Sequence, residues 1–485
     1  MNTNNSDKSP KSNSVQPEKR PSDSQVDYSL VPQTGVLGRK GEPISIAEEV
    51  ALEQSMNITD SGTEDNLFCG DLSIWNELQQ LSIHELITEA RKTGIEADLT
   101  SDSPDKIRQS VIFRIIKQRL RKSGEMFGEG TLELLPNEFG FLRNPENDYI
   151  SNADDIYVSP SQVRRFGMRT GTTISGSIRP PKENEKYFAL LRVEAINHKH
   201  PASQRNRPHF DKMTPILPDR RIVFESNDLT VRIIGHLIPI GFGQRGLIVY
   251  QSHEEKTELL RQIAESAALC NPELHVFVIL IGDDMQENME TAKLLQRSGC
   301  ETVSATEDRI IGVTELVLEK AKRMVEYGND VLIILDSITR LTTALQKENE
   351  NTHLNKNGHA SESQVDFHAV AEAKRFFTFA KHFQEGGSLT VIATVSLGES
   401  DPLVKSIADR FQGTGNFEIY LDHTLAPYNL GSTINLKRSG TGSAESLFSP
   451  EEYQSALSTH KIIDSMKSNE ILEYLAGEIA NQVGQ

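Results

Sequence analysis

Hydrophobic positions change their spacing along the chain, and each spacing predicts a different kind of structure. Residues 1–72 are rich in Ser, Asn, Asp, Gln, Pro and Glu and have no sustained apolar period, which predicts a disordered tail. Over residues 73–127, apolar residues recur with helical spacing, and Ser82 with Glu85 has the spacing of a capping box. The first apolar face comprises Leu81, Leu86, Ile87 and Ala90. This segment predicts a small helical subdomain.

The pattern changes to alternation over residues 128–200. Short apolar and aromatic runs are separated there by Asn, Asp, Gly and Pro turns, which is typical of strands. The runs are 131–135, 139–142, 156–158, 173–178 and 187–193. Five short strands within about seventy residues predict a small closed barrel of the oligonucleotide-binding (OB) type.

After a basic, proline-containing linker at 201–225, strands alternate with helices through residues 226–485. The predicted strands are 246–250, 274–281, 330–335 and 388–395, and the predicted helices are 256–269, 314–327 and 367–383. Such a succession predicts a parallel sheet with helices on both faces. The chain is therefore expected to be multidomain, with a helical subdomain, a β-barrel and an α/β domain.

Charge is unevenly distributed along the chain. The net charge of −18 argues against nonspecific nucleic-acid binding over the whole surface, because phosphate contacts supply most of such affinity. Residues 106–122, however, hold seven Lys and Arg residues opposite an apolar helix face. That basic face either binds nucleic acid or is a solvated helix surface.

The cysteines and the apolar runs indicate the cellular compartment of the protein. Cys69, Cys270 and Cys300 have neither disulfide nor zinc spacing, which is typical of a reducing compartment. The sequence has no apolar run of membrane-spanning length and no secretory signal pattern. We therefore expect a cytoplasmic protein with no membrane partner.

Aromatic residues on the predicted barrel strands are candidates for stacking on bases. Phe139 and Phe141 flank a glycine, so their rings lie on one face of a strand, and Tyr157 and Tyr187 belong to other strands. Each stacked base contributes about 1–3 kcal/mol, and the Glu185 carboxylate can accept a hydrogen bond from a base amine. Candidate phosphate contacts are Arg143, Arg164, Arg165 and Arg179. The alternative is that the aromatic residues form only the barrel core.

Residues 241–257 resemble a nucleotide-binding strand followed by a phosphate loop, ending in Lys256 and Thr257. A phosphate loop has the form G-x-x-x-x-G-K-[ST], so that backbone N–H groups can close around phosphate oxygens. Here Glu254 and Glu255 precede the lysine. Each like-charge contact near 4 Å costs about 4 kcal/mol at an effective dielectric of about 20. Either the motif is a chance match, or the phosphate grip of an ATPase module has been lost.

Two carboxylates follow predicted parallel strands. Asp336 ends the apolar run 331–335, where the magnesium-organising aspartate of phosphate-loop enzymes lies. Asp283 follows the strand 274–281 and is a candidate for polarising an attacking water. The alternative for Asp283 is a solvated turn.

Several ordered motifs together resemble the family of bacterial Rho transcription termination factors, which are RNA-dependent hexameric ATPases and helicases. They are FGFLR at 139–143, DIYVSPSQ at 155–162, IRPPKE at 178–183, GQRG at 243–246, LDSITRL at 335–341, KRFF at 374–377 and GTGN at 413–416. The resemblance covers about residues 75–480 and implies a cold-shock-like OB barrel and a RecA-like α/β phosphate-loop domain.

The resemblance assigns an RNA site and a nucleotide site. The positions that match the family's pyrimidine-binding residues are Phe139, Phe141, Arg143, Tyr157, Glu185 and Tyr187. The expected nucleotide-binding residues are Gly241, Gly243, Gln244, Arg245, Gly246, Lys256 and Thr257, with Mg²⁺ at Thr257 and Asp336. Arg438 matches the arginine that reaches a neighbouring subunit's site, and Asp283 takes the position of the catalytic glutamate.

The motor positions depart from the family pattern. Glu255 replaces the glycine before the lysine, Asp283 is one methylene shorter than glutamate, and Asp284 replaces an arginine. A displacement of about 1 Å in a positioned carboxylate reduces a rate about a hundredfold. The RNA-gripping pore loop is altered at 358–364, and a second pore-loop lysine is replaced within 400–403.

We therefore expect a Rho-like termination factor that binds nascent, pyrimidine-rich single-stranded RNA, with ATP hydrolysis weakened or lost. The alternative is a fully active RNA-dependent ATPase and helicase that uses ATP and Mg²⁺. Expected partners are the other subunits of a homohexamer, or of a mixed ring with another Rho subunit, and RNA polymerase. A metabolic enzyme on the same scaffold lacks any substrate-site signature in this sequence.

Overall fold

In the computed structural model, the described part of the chain is residues 81–95 and 126–475, with single positions between 78 and 119. The gaps after residue 126 are 137, 182–184, 203–206, 227, 252, 283–284, 355–365, 398–400, 429–432, 468–469 and 472. The predicted tail at 1–72 lies outside the described residues. Within this described part, no helix has both the length and the apolar character needed to cross a membrane.

The helical subdomain contains helix α1 (Ile83–Thr93). Ser82 and Glu85 form the predicted capping box, and Gly94 ends the helix in the left-handed conformation at φ 84°. Leu86 and Ala90 on the predicted apolar face are buried and pack in a cluster with Ala195 of the barrel. The other buried members of this cluster are Leu78, Val111, Ile112 and Ile115. The helix start and its buried face are confirmed.

The barrel is built from five strands and one helix. They are β1 (Met126–Leu134), β2 (Gly140–Arg143), β3 (Ile156–Val158), α2 (Pro160–Phe166), β4 (Thr173–Arg179) and β5 (Phe188–Ile196). The strands close in the order β1-β2-β3-β5-β4, with only the β3–β5 pair parallel. The closed five-stranded barrel confirms the predicted OB fold.

The α/β domain follows. Its strands are β6 (Pro215–Ile216), β7 (Arg245–Tyr250), β8 (Leu274–Ile281), β9 (Glu301–Ala305), β10 (Asp330–Asp336), β11 (Lys381–Phe383), β12 (Ser388–Ser396), β13 (Phe417–Tyr420) and β14 (Gly440–Thr441). Its helices are α3 (Leu229–Leu237), α4 (His253–Cys270), α5 (Met285–Arg297), α6 (Ile310–Glu326), α7 (Ile338–Leu354), α8 (Phe367–Thr378), α9 (Pro402–Phe411) and α10 (Pro450–Ser465).

These strands form one sheet in the order β14-β13-β7-β12-β10-β8-β9. The pairs from β13 through β9 are parallel, as predicted, and antiparallel β14 lies at one edge. Alternate residues of each central strand enter two separate hydrophobic clusters, one on each face. Parallel strands covered on both faces place all their carboxyl ends at one edge, where ligands bind in such sheets.

The structure differs from the sequence prediction at three helices, one of which is α6, which begins at Ile310 rather than at residue 314. The helix predicted over 367–383 ends at Thr378, and β11 then pairs with β12 and with β6 inside the predicted linker. Helix α4 begins at His253 rather than at residue 256. Short amphipathic strands such as β9 were not predicted, because their few apolar residues give little periodic signal.

A polar cluster joins the barrel to the α/β domain. Tyr149 lies on the loop after β2, and its hydroxyl group donates a hydrogen bond to Glu301 of β9. Lys320 Nζ lies 2.9 Å from the same hydroxyl oxygen. Lys320 also bonds Glu301 at 2.7 Å, and Asp148 accepts a hydrogen bond of 2.7 Å from the Ser304 amide. These contacts fix the barrel on β9 and α6.

We expect Gly176→Ala to destabilise the barrel by about 3 kcal/mol, at the upper end of the overpacking range. A Cβ at Gly176 would lie 1.8 Å from the backbone oxygen of Arg192 on the paired strand. The matched control is Gly312→Ala on α6, where a Cβ meets nothing within 4 Å. That change should stabilise the helix by about 0.5–1 kcal/mol. Chemical unfolding measures both, and equal stability of the two variants would contradict the expectation.

Candidate functional sites

The four predicted aromatic side chains of the barrel form one cluster. Register pairing places Phe141 opposite Tyr157, Phe139 precedes β2, and Tyr187 precedes β5, which pairs with β3. Ring centroids in contact are 4.7 to 6.1 Å apart, within the range of favourable aromatic pairs. Leu135 completes the cluster. The structure therefore brings these predicted residues together.

The rings, however, are not displayed on an open face. Phe139, Phe141, Tyr157 and Tyr187 are 1–4% exposed, and Phe141 contacts Tyr187 at the shortest centroid distance of 4.7 Å. The predicted stacking surface is therefore buried in this conformation. A base that stacks on these residues must separate rings that now pack on one another.

Arg143 is held inside the barrel rather than presented to phosphate. Its Nε donates to Glu133 at 2.6 Å, its Nη1 pairs with Asp155, and the residue is 4% exposed. Burial raises the pKa of Asp155, although the Arg143 charge opposes that effect. The guanidinium also lies 5.3 Å from the Phe141 ring centroid. Arg143 therefore packs against the Phe141 ring of the aromatic cluster.

Glu185 is likewise engaged within the protein. Arg179 donates two hydrogen bonds to its carboxylate, at 2.5 and 2.9 Å, in the bidentate geometry typical of strong arginine pairs. Lys186 Nζ lies 5.2 Å from the Tyr187 ring centroid. Of the other candidate phosphate contacts, Arg164 pairs with Glu138 at the surface. Recognition of a base amine by Glu185 requires the carboxylate to be shared with Arg179.

The second candidate site lies at the carboxyl edge of the parallel sheet. Lys256, in the first turns of α4, forms a buried ion pair with Asp336 at 2.5 Å. The other Asp336 oxygen accepts a hydrogen bond of 2.7 Å from Thr394 on β12. Thr257 follows Lys256 and is half-buried. Both carboxylate oxygens of Asp336 are thus occupied by protein groups.

The chain between β7 and α4 is too short to form the expected phosphate cradle. Strand β7 ends at Tyr250 and α4 begins at His253, so only residues 251–252 connect them. A phosphate loop needs several non-helical residues before its lysine, so that their N–H groups converge on the anion. Glu254 and Glu255 fall in the first turn of α4. The residues present therefore do not fit a nucleotide triphosphate and Mg²⁺ in this arrangement.

Tyr250 lies beside this ion pair and was not among the predicted site residues. It is 1% exposed, and its ring centroid is 5.3 Å from Lys256 Nζ. Burial, with the nearby Asp336 carboxylate, raises the pKa of Tyr250 to about 12. Its signal in the sequence is that Tyr250 occupies the first glycine position of the G-x-x-x-x-G-K-[ST] pattern.

The five predicted residues before and at the start of β7 are not brought together with Lys256. Gly241, Gly243 and Gln244 lie before the amino end of β7, and Arg245 and Gly246 begin it. Lys256 follows the opposite, carboxyl end. Their contacts are internal: the Gln244 side chain accepts from the Gly241 amide at 2.8 Å, Arg245 donates to the Thr414 carbonyl, and Gly246 packs on the Phe417 ring. These contacts fix the start of the strand.

Arg438 lies on the same edge of the sheet as Lys256 but at its periphery. Its guanidinium is exposed and stacks 4.1 Å from the ring centroid of Tyr420, which ends β13 opposite Val249 of β7. Asp283, Asp284 and the pore-loop segment 358–364 lie outside the described residues. Asp401, in the second altered stretch, caps α9 by accepting from the Leu403 amide.

Comparison with known proteins follows the two-part architecture. Residues 128–202 match the family model described as Rho termination factor, RNA-binding domain, and residues 230–441 match the nucleotide-binding domain of the ATP synthase alpha/beta family. The chain is 40% identical to transcription termination factor Rho of Rhodopirellula baltica, over 89% of this chain and 84% of that protein. It is 41% identical to the Rho proteins of Salmonella typhimurium and Escherichia coli, over 83% of this chain and 96% of each relative.

We expect Asp336→Asn to reduce the free energy of unfolding by about 3–5 kcal/mol, because it leaves the buried Lys256 ammonium without a counter-charge. Replacing both partners by apolar residues, in Lys256→Met with Asp336→Leu, should recover most of that loss. Urea unfolding of the parent, Lys256→Met, Asp336→Leu and the double variant gives the coupling energy. A coupling energy near zero would show that the ion pair does not form.

Proposed function

Because the chain belongs to the family of transcription termination factor Rho, we propose that its barrel takes up nascent single-stranded RNA while its α/β domain hydrolyses ATP weakly or not at all. It is a Rho-like termination factor with an RNA-binding domain and a nucleotide-binding domain of the ATP synthase type. The single observation that carries the proposal is the contrast between a complete aromatic cluster and a missing phosphate cradle.

Support for RNA binding comes from the barrel. Four aromatic rings form one cluster, Arg143 lies against the Phe141 ring, and Glu185 lies two residues before Tyr187. Aromatic faces stack on any base, and a carboxylate beside them adds a preference for bases that carry an exocyclic amine. We propose that pyrimidine-rich RNA enters by separating Phe141 from Tyr187.

Support for a weakened motor comes from the nucleotide edge. Helix α4 begins before the lysine, Lys256 is neutralised by Asp336, and two glutamates stand where the phosphate loop needs uncharged residues. Bringing phosphate there requires the ion pair to open and places like charges together, each contact costing about 4 kcal/mol at 4 Å. ATP with Mg²⁺ is therefore proposed as at most a weak ligand.

The exposed Arg438 supports assembly with further subunits. Its position at the periphery of the nucleotide edge suits a residue that reaches a neighbouring site. We propose a hexameric ring, of this chain alone or mixed with another Rho subunit, acting in the cytoplasm on RNA that emerges from RNA polymerase. In a mixed ring, Arg438 would complete the site of an active neighbour.

A second candidate function is a fully active RNA-dependent ATPase and helicase. Retention of Lys256, Thr257, Asp336 and Arg438 favours it. In that case the nucleotide edge must rearrange on binding, with residues 253–255 leaving the helix.

ATP hydrolysis by the purified protein, with and without poly-cytidine RNA, separates the two functions. We expect turnover at the background level in both conditions, alongside measurable RNA binding. A Glu255→Gly variant is expected to turn over faster than the parent, because it removes one carboxylate and favours a loop. RNA-stimulated turnover by the parent would instead establish a working motor.

We expect Tyr187→Ala to weaken binding of an oligocytidine by about 5- to 150-fold, corresponding to the 1–3 kcal/mol of one stacked base. Tyr187→Phe keeps the ring and is the matched control, expected to bind within a few-fold of the parent. Fluorescence anisotropy gives the affinity, and thermal unfolding checks that the barrel is intact. Unchanged affinity in a folded Tyr187→Ala protein would contradict the proposed RNA site.

A further inference from the structure

The side chain of Tyr250 extends across the carboxyl ends of three neighbouring strands. Tyr250 is the last residue of β7 and pairs in register with Ser396, the last residue of β12. Its side chain lies within interaction range of Ser396 and of Ser337, which directly follows β10. Because β7, β12 and β10 are consecutive in the sheet, the side chain spans this central part of the carboxyl edge.

That position is where a parallel sheet of this kind holds its ligand. Ligands of open α/β sheets bind in the crevice outside the carboxyl ends of the strands. The Tyr250 ring is 1% exposed, so no solvent-filled space separates it from the groups around it. Lys256 Nζ lies 5.3 Å from the ring centroid and 2.5 Å from Asp336. The ammonium is therefore held by the negative face of the ring and by a carboxylate.

We propose that Tyr250 closes the nucleotide site. Its ring occupies the space that the terminal phosphate groups of a nucleotide require, and it holds Lys256 against Asp336. This inference rests on the proposed function, since it supplies a cause for weak nucleotide binding that is separate from the charge of Glu254 and Glu255. Tyr250 thus lowers the affinity for a nucleotide by excluding its terminal phosphate groups from the site.

The volume of the Tyr250 ring and the charge of the Glu255 carboxylate can be removed independently. Removing the ring opens space beside Lys256 without changing any formal charge. Removing the Glu255 carboxylate changes the charge and leaves the ring in place. The two causes therefore give different orders of affinity among single variants.

Isothermal titration of ATP with Mg²⁺ into the full-length protein tests the proposal without relying on turnover. In the closed arrangement the Tyr250 ring fills the phosphate space, and in the open arrangement it has left that space. If the open arrangement makes up no more than about 10% of the parent protein, Tyr250→Ala should tighten ATP binding about tenfold or more, because the closed arrangement no longer competes. Tyr250→Phe keeps the ring and is the matched control, so its affinity should stay within a few-fold of the parent. Tyr250→Leu preserves apolar packing and should give an intermediate gain.

Thermal unfolding, measured on every variant, reports whether the α/β domain that contains Tyr250 is folded. If Tyr250→Ala does not fold, Tyr250→Leu carries the test. A folded variant without the ring that binds ATP no better than Tyr250→Phe overturns the inference.

The outcomes also distinguish this inference from the proposed function. A gain of affinity in Glu255→Gly alone would place the obstruction in the loop charge, which overturns the role of Tyr250 and leaves the weakened motor standing. Micromolar ATP binding by the parent would overturn both. Loss of RNA binding in Tyr187→Ala is independent of either result.

Discussion

The buried ion pair between Lys256 and Asp336 determines how the nucleotide edge of this protein is organised. It joins α4 to β10, and Thr394 extends the contact to β12. Two charges removed from water are stabilised only when their geometry is good and the remaining lone pairs are satisfied. The Asp336 carboxylate accepts from Lys256 and from Thr394, so each of its two oxygens has a protein donor. Lys256 and Asp336, which the sequence assigns to a nucleotide site, therefore form an ion pair with each other.

The barrel applies the same principle to its own charges. Arg143 is balanced by Glu133 and Asp155, and Arg179 is balanced by Glu185. The Arg143 guanidinium lies 5.3 Å from the Phe141 ring centroid of the aromatic cluster. A strongly acidic chain can thus hold a candidate RNA site whose aromatic rings supply stacking surfaces for bases.

The two candidate sites belong to one continuous structure. Strand β2 carries Phe141 and Arg143, and the loop that follows it carries Asp148 and Tyr149 into contact with β9 and α6. Both loop residues have positive φ values, 53° and 58°, which non-glycine residues adopt uncommonly. The contacts with Ser304, Glu301 and Lys320 hold them there. The loop after β2 therefore links the aromatic cluster to the α/β domain.

The sequence by itself determined the local elements and the chemistry available to them. The Ser82 capping box, the closed barrel and the parallel sheet follow from spacing and turn residues that lie near one another in the chain. The gathering of Phe139, Phe141, Tyr157 and Tyr187 followed from the family resemblance of their motifs. The replacement of a glycine by Glu255 was likewise visible without a structure.

Only the tertiary structure decided which of these groups meet. It confirmed the strand that separates Gly241 and Gly243 from Lys256 by its full length. It also revealed the early start of α4 at His253 and the reach of Tyr250 across β12 and β10. Burial of the barrel rings and the pairing of Arg179 with Glu185 likewise depend on packing. Periodicity describes neighbours along the chain, whereas these contacts arise between strands whose order and register are set by the folded sheet.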